Sequence, residues 1–165
     1  MESIEPIYSG IEELGVMESA RNYNSWLVEL CLPYIDSEVI EIGSGIGTFT
    51  REWIKVANTV AAVEIAPNCI EILKGRFYEN KKVKIIDKSW LEYDPSICGY
   101  YNTAISFNVF EHIEDDVSAF KKVYETLREK GNFLLFVPAL QVLYGETDKL
   151  VGHYRRYEKN ELISK

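Results

Sequence analysis

The sequence is short of cysteine, has no excess of positive charge and has no long apolar run, and each shortage excludes something. Cys31, Cys69 and Cys98 stand far apart, with no C-x-x-C pair. Neither a zinc site nor a disulfide framework is expected from them, and three buried thiols in a reducing compartment are. Eighteen Lys plus Arg against twenty-six Asp plus Glu leave a net charge of −8. Gripping nucleic acid through its phosphates needs a cationic face, so no nucleic-acid partner is expected. The imbalance is local: residues 1–50 hold nine acids and one base, Arg21, and the remainder hold seventeen of each. The most apolar stretch, FLLFVPAL at 133–140, is broken by Pro138. It falls well short of the roughly 20 residues a membrane helix needs. The amino-terminal MESIEPIYSGIEELG is acidic and lacks the basic and apolar regions of a secretory signal, so a cytoplasmic location is expected.

What is present is ordinary globular material, 165 residues with 47% apolar and 27% charged, enough for one domain over 1–165. Short β-branched runs alternate with amphipathic ones. Helices are predicted over 19–34, 46–57, 66–80 and 113–131, and strands over 38–42, 59–65, 83–87, 102–108 and 132–138. Residues 93–100 and 139–157 read as irregular, and a last helix begins at 158. Apolar strands separated by helices imply an α/β fold: a Rossmann-like, doubly wound, mainly parallel sheet with helices on both faces. Residues 1–36 are expected to form a helical cap and 37–165 the core. Ligands of such sheets bind beyond the strand carboxyl ends.

The strand ends carry the informative residues. After the first comes Glu41-Ile42-Gly43-Ser44-Gly45-Ile46-Gly47. Three alternating glycines let the backbone bend tightly, but the third comes one residue too early for a dinucleotide fingerprint. Glu41 beside them repels phosphate and suits a ligand bearing positive charge. After the second strand stands Glu64, placed to bond ribose hydroxyls. Asp87 ends the third strand; it suits an adenine amino group and equally well a turn cap. Asn108 follows the fourth strand, placed to bond a ligand or to hold its loop. His112 reads first as structural. Asp115 and Asp116 open a helix, where acids are electrostatically favoured, and no metal is expected. The polar and aromatic stretch Asp148–Tyr157 holds His153, Arg155 and Arg156 and suits an anionic substrate or a surface loop equally.

VIEIGSGIGTFT resembles the first motif of class I S-adenosylmethionine-dependent methyltransferases, and VAAVEIAP resembles their second, with its ribose-binding acid. SFNVFEHIEDD, VPALQVLYGETDKLVGHYRRYEKNEL and RNYNSWL are similar to later segments and the lead-in helix of the methyltransferase type 11/12 group. The resemblance implies S-adenosylmethionine as cofactor. Gly43, Gly45 and Gly47 would pass beneath it, with Glu41 near its amino acid portion. Glu64 would take the ribose, Ile65 the adenine face, and Asp87 with Lys88 the adenine edge. Asn108 would face the methionine portion, and Tyr23 would close over its carboxylate. The family carries two further strands beyond residue 165, so C-terminal edge strands are missing and the core reads as truncated. An uncovered sheet edge predicts self-association or a partner subunit.

The expected reaction is methyl transfer to a small-molecule acceptor, a hydroxyl in sugar, lipid or secondary metabolism. His153 is the candidate base, with His112 in reserve, and Arg155 and Arg156 are candidate substrate clamps. The alternatives are a non-catalytic S-adenosylmethionine-binding module and, against the glycine spacing, a nicotinamide-dependent dehydrogenase.

Overall fold

A computed structural model describes residues 11–165, apart from the side chain of Cys98. The expected arrangement of residues 1–10 within the cap, and the burial of Cys98, lie outside the described residues; Cys31 and Cys69 are free and buried.

The chain opens with α1 (Ile11–Ser19) and α2 (Arg21–Cys31), then β1 (Glu38–Ile42), α3 (Thr50–Val56), β2 (Thr59–Glu64), α4 (Pro67–Arg76) and β3 (Val83–Asp87). A single turn, α5 (Pro95–Cys98), precedes β4 (Tyr101–Phe107), α6 (Asp116–Thr126) and β5 (Leu127–Phe136). Two short helices follow, α7 (Glu146–Leu150) and α8 (Lys159–Ser164). The five strands pair in the order β3-β2-β1-β4-β5, all parallel. The order reverses between β1 and β4, which makes their carboxyl ends the topological switch point.

The period-two alternation of the strands divides the core between two faces. Ile40, Ile42, Ala61, Val63 and Ala104 pack with Ala119 and Val123 of α6 and with Phe110 and Tyr157. Val39, Val60 and Ile105 pack with Cys31 of α2 and Trp53 of α3. Each large apolar side chain withdrawn from water contributes about 1.5–3 kcal/mol, so helices are held to both faces. This is the expected doubly wound sheet. Beyond β4, β5 pairs with no second strand among the described residues.

Several expected boundaries shift; the helix expected over 66–80, for one, ends at Arg76. The helix expected over 19–34 is α2 alone, ending at Cys31, and α1 precedes it across Ala20. The helix expected over 46–57 begins only at Thr50, because Ile46–Phe49 belong to the glycine turn. The helix expected over 113–131 stops at Thr126, and Leu127 pairs beside Tyr101 as the start of β5. The strand is irregular there, with Lys130 at φ 64°. At Gly131 an added Cβ would come within 2.9 Å of the Asn102 carbonyl. Gly131 therefore lets two strands approach and does not cap a helix.

Candidate functional site

The carboxyl ends of β1, β2 and β4 meet at the glycine turn. Gly43, Gly45 and Gly47 all have positive φ, at 74°, 53° and 85°. The Gly43 and Ser44 amides donate to the Val63 carbonyl at 2.9 and 3.0 Å, which ties the turn to β2. A Cβ on Gly43 would lie 2.3 Å from Val109, and one on Gly47 would lie 2.7 Å from Phe77 and 2.9 Å from Leu73. These two positions combine left-handed backbone with contacts that leave no room for a side chain. Over Gly45 lies Leu14 of α1. That helix is tethered by Glu18, which pairs with Arg51 at 2.9 Å and with Arg76 at 2.7 Å. Hydrogen bonding to Arg76 outweighs burial and holds the Glu18 carboxyl below its usual range. The sequence reading began its first helix at 19 and missed this cover. Its signal was the apolar spacing of Ile11, Leu14 and Met17.

Glu64 lies at the tip of β2 and is buried. One oxygen accepts from the Gly45 amide at 2.7 Å. The other accepts from the Ile65 and Ala66 amides at 2.8 and 2.9 Å, capping the approach to α4. The carboxylate thus closes the glycine turn from the side of β2. Ile65 beside it is 65% exposed, a large apolar side chain standing at the mouth of the site. Asp87 at the end of β3 is exposed and stands 3.6 Å from the Lys74 ammonium, and Lys88 is exposed next to it. Asn108 adopts φ 53° and donates its amide to the Phe136 carbonyl at 2.8 Å, ending β4, with its side chain in solvent. The Tyr23 ring stands edge-on to Phe136 at 6.5 Å, near the end of β5.

Glu41 is the residue whose setting sequence alone did not reveal. It is buried behind the turn, where Thr50 donates to one oxygen and the Trp53 indole to the other at 3.3 Å. Burial pushes its carboxyl up to about 7, against donation from Thr50, Trp53 and Ser44 and with repulsion from Glu64 adding to the rise. An acid raised in the fold from its ordinary 4.5 stabilises fully below pH 4.5, and that stability is lost as pH rises through 7. The loss amounts to about 3 kcal/mol. We therefore expect Tm to fall as pH is raised from 5 to 8. Glu41→Gln, which offers the same partners a neutral amide, should flatten that slope. Equal slopes for the two proteins in a pH series of thermal melts would contradict this reading.

The segment after β5 is latched down by the residues expected to handle substrate. The His153 Nδ1 is 2.9 Å from Asp148, and its Nε2 is 3.9 Å from Glu111. Arg156 Nε pairs with the same Asp148 oxygen at 2.9 Å. Arg155 reaches Asp116 at 2.9 Å and donates to the Ile113 and Glu114 carbonyls at 3.0 and 2.7 Å. Asp116 also accepts from Tyr157 and Lys165. Arg155 therefore pins residues 148–157 onto the turn after β4 and the start of α6, while Arg156 braces the segment internally through Asp148. Burial and the neighbouring His153 push the His112 imidazole down. Asp116 and Asp148, the anchors of this network, drew no attention as such in sequence because their partners lie five to forty-nine residues away. A surface depression of about 630 Å³ lined by Glu92, Asp94, Lys122 and Glu125 opens at the other end of the sheet, beside the amino end of β4.

Comparison with known proteins agrees with this architecture. The sequence matches the methyltransferase-domain family over residues 18–164. Among curated proteins it is 30% identical over 151 residues to ribosomal RNA small subunit methyltransferase A of Syntrophus aciditrophicus, covering 84% of this chain and 54% of that protein. It is 32% identical over 82 residues to the probable enzyme of the same name from Methanococcoides burtonii, covering 45% of this chain and 30% of that one. The chain thus spans about half the length, or less, of these relatives. Among solved structures, the N-methyltransferase NodS from Bradyrhizobium japonicum, in complex with S-adenosyl-L-homocysteine, superposes with a TM-score of 0.68. The two are 19% identical, covering 82% of this chain and 67% of that one. YcgJ from Bacillus subtilis superposes with a TM-score of 0.73 at 15% identity, covering 87% and 65%.

These findings correct one expectation. The net charge was read as excluding nucleic acid, yet the curated relatives are named for ribosomal RNA. Net charge is a property of the whole chain, whereas recognition depends on a local surface, so a −8 total carries no exclusion. No helix among the described residues is long and apolar enough to cross a membrane. With the family matched over nearly its whole length and the class I fold in place around the glycine turn, the chain belongs to the methyltransferase-domain family.

Proposed function

We propose that this chain binds S-adenosylmethionine across the carboxyl ends of β1, β2 and β3 and passes its methyl group to a nitrogen nucleophile. The observation that carries the reading is the turn of three left-handed glycines, closed at Gly45 by the buried Glu64 carboxylate. The carboxylates of Glu64 and Asp87 at the strand tips disfavour a pyrophosphate and favour a cationic ligand. When bound, the cofactor supplies an electrophilic methyl on a positively charged sulfur. Glu64 is assigned to its ribose hydroxyls, Ile65 to its adenine face, and Asp87 with the Lys88 backbone to the adenine edge. Gly43, Gly45 and Gly47 lie beneath it, Glu41 supports the turn near its amino acid portion, and Asn108 and Tyr23 flank the methionine portion.

The nitrogen acceptor is chosen from the relatives' names and from the engagement of both arginines within the fold. A hydroxyl needs a base as it attacks, whereas a neutral nitrogen attacks through its own lone pair and sheds its proton afterwards. His153 has one ring nitrogen on Asp148 and the other facing Glu111, and the two arginines are held by internal carboxylates. No free clamp is left in that segment, while His153 keeps Nε2 without a hydrogen bond among the described residues, so a base is not lacking and the histidines do not choose between acceptors. Two relatives support the choice by name: an rRNA adenine N-6-methyltransferase of Limosilactobacillus reuteri, 38% identical over 58 residues, and the N-methyltransferase NodS. The test has two parts. Calorimetry with S-adenosylmethionine and S-adenosylhomocysteine should give one site; no binding would sink the whole reading. Labelled methyl should then reach small-subunit ribosomal RNA or small amines. Label entering hydroxyl compounds alone would overturn the nitrogen acceptor, and tight binding without transfer to anything would leave a non-catalytic module.

A further inference from the structure

Glu111 presents a physical problem that the cofactor site does not solve. It lies in the turn after β4, is 0% exposed, and neither carboxylate oxygen accepts a hydrogen bond from any described residue. A buried carboxylate without a donor is costly, and such groups are normally paired, neutralised or bound to a cation. Two imidazoles face it. His153 Nε2 is 3.9 Å from a Glu111 oxygen, and the His112 and His153 rings stand edge to face at 4.6 Å between centroids. One ligating atom from each of Glu111, His112 and His153 lies within 4.8 Å of the other two. The residues come from two segments 41 positions apart, joined where the Tyr154 amide donates to the Glu111 carbonyl at 2.8 Å.

We propose that Glu111, His112 and His153 form a binding site for one divalent transition-metal ion. Two imidazoles and a carboxylate suit zinc, cobalt, iron or manganese rather than magnesium or calcium, which take oxygen ligands. The supporting shell is already built. His153 Nδ1 is held by Asp148, so Nε2 is the nitrogen presented to the ion, and Asp148 is fixed in turn by Arg156 and the Gly145 amide at 2.9 Å. A carboxylate behind a ligating histidine is the usual arrangement for fixing its tautomer and ring plane. Bonds of about 2.0–2.2 Å require the three groups to close inward by about 1–2 Å. His153 is partly buried and His112 is exposed, so an ion held by three protein ligands keeps a position open to solvent or to a ligand. The inference does not rest on the methyl-transfer reading, and its test needs no methyl acceptor.

The untagged chain, stripped with chelator, is titrated with CoCl2 by visible absorption and with ZnCl2 by calorimetry. One equivalent should bind in the micromolar range or tighter, with the intense visible bands of low-coordinate cobalt. Glu111→Gln and His112→Asn should each weaken binding by at least 100-fold, and Asp148→Asn by about 10–100-fold with an altered spectrum. A featureless spectrum up to millimolar cobalt overturns the site. So does wild-type binding by both ligand variants, which places the ion elsewhere. Should Glu111→Gln fail to fold, the thermal melts decide: zinc should raise Tm of the wild type and not of His112→Asn, and equal rises overturn the proposal.

Discussion

Gly43→Ala is expected to destabilise the protein by about 3 kcal/mol, a fall in Tm of roughly 6–12 °C for a chain of this size. Two effects add. At φ 74° any L side chain is strained, which costs about 1–2 kcal/mol. The new methyl would also stand 2.3 Å from a Val109 methyl, well inside contact distance. Val109 sits between Asn108, which ends β4, and the turn that carries Glu111, so it cannot retreat without moving both. Val109→Ala should return part of the loss, leaving the strain of the left-handed backbone. A double-mutant cycle with melts of all four proteins separates the two terms. Additive losses, or a Gly43→Ala Tm within about 2 °C of wild type, would show that the turn has more freedom than its contacts allow.

Glu64→Gln is expected to weaken S-adenosylmethionine binding by about 100–1000-fold and to lower Tm as well. Two charge-assisted hydrogen bonds to ribose hydroxyls are worth about 1.5–3 kcal/mol each, and the amide loses the charge that strengthens them. Without ligand the same carboxylate holds the Gly45, Ile65 and Ala66 amides, so glutamine keeps one acceptor oxygen and sets an NH2 against the remaining donors. That mismatch also costs stability, so binding is measured well below the Tm of the variant. Calorimetry on the variant with S-adenosylmethionine checks it. An affinity within threefold of wild type would remove Glu64 from the cofactor and leave it a cap for the turn alone.

Much of the frame was legible before any coordinates. The bounds of β1 and β3 coincide with the expected 38–42 and 83–87. β2 and β4 are displaced by a single residue. β1 and β2, buried on both faces, read as nearly continuous apolar runs with clear ends, whereas β5, expected over 132–138, runs from Leu127 to Phe136. Helices were overextended because apolar spacing persists past the last helical turn. Leu127 continues the α6 stripe in register, yet its backbone belongs to β5 beside Tyr101.

The local chemistry of the strand tips was determined by sequence alone: glycines at 43, 45 and 47, and acids at 41, 64 and 87, in an order that only a parallel sheet turns into one site. What those side chains do was decided by tertiary structure. Glu41 turned out to be gripped from behind by Thr50 and Trp53, and His153, Arg155 and Arg156 to be tied to Asp148, Glu111 and Asp116. The physical reason is range. Backbone bending and hydrophobic periodicity act between neighbours a few residues apart and are written in the local sequence. Ion pairing and desolvation depend on which groups meet in space, whether five residues apart as at Asp148 and His153 or about 40 as at Asp116 and Arg155, and only the packed chain decides that.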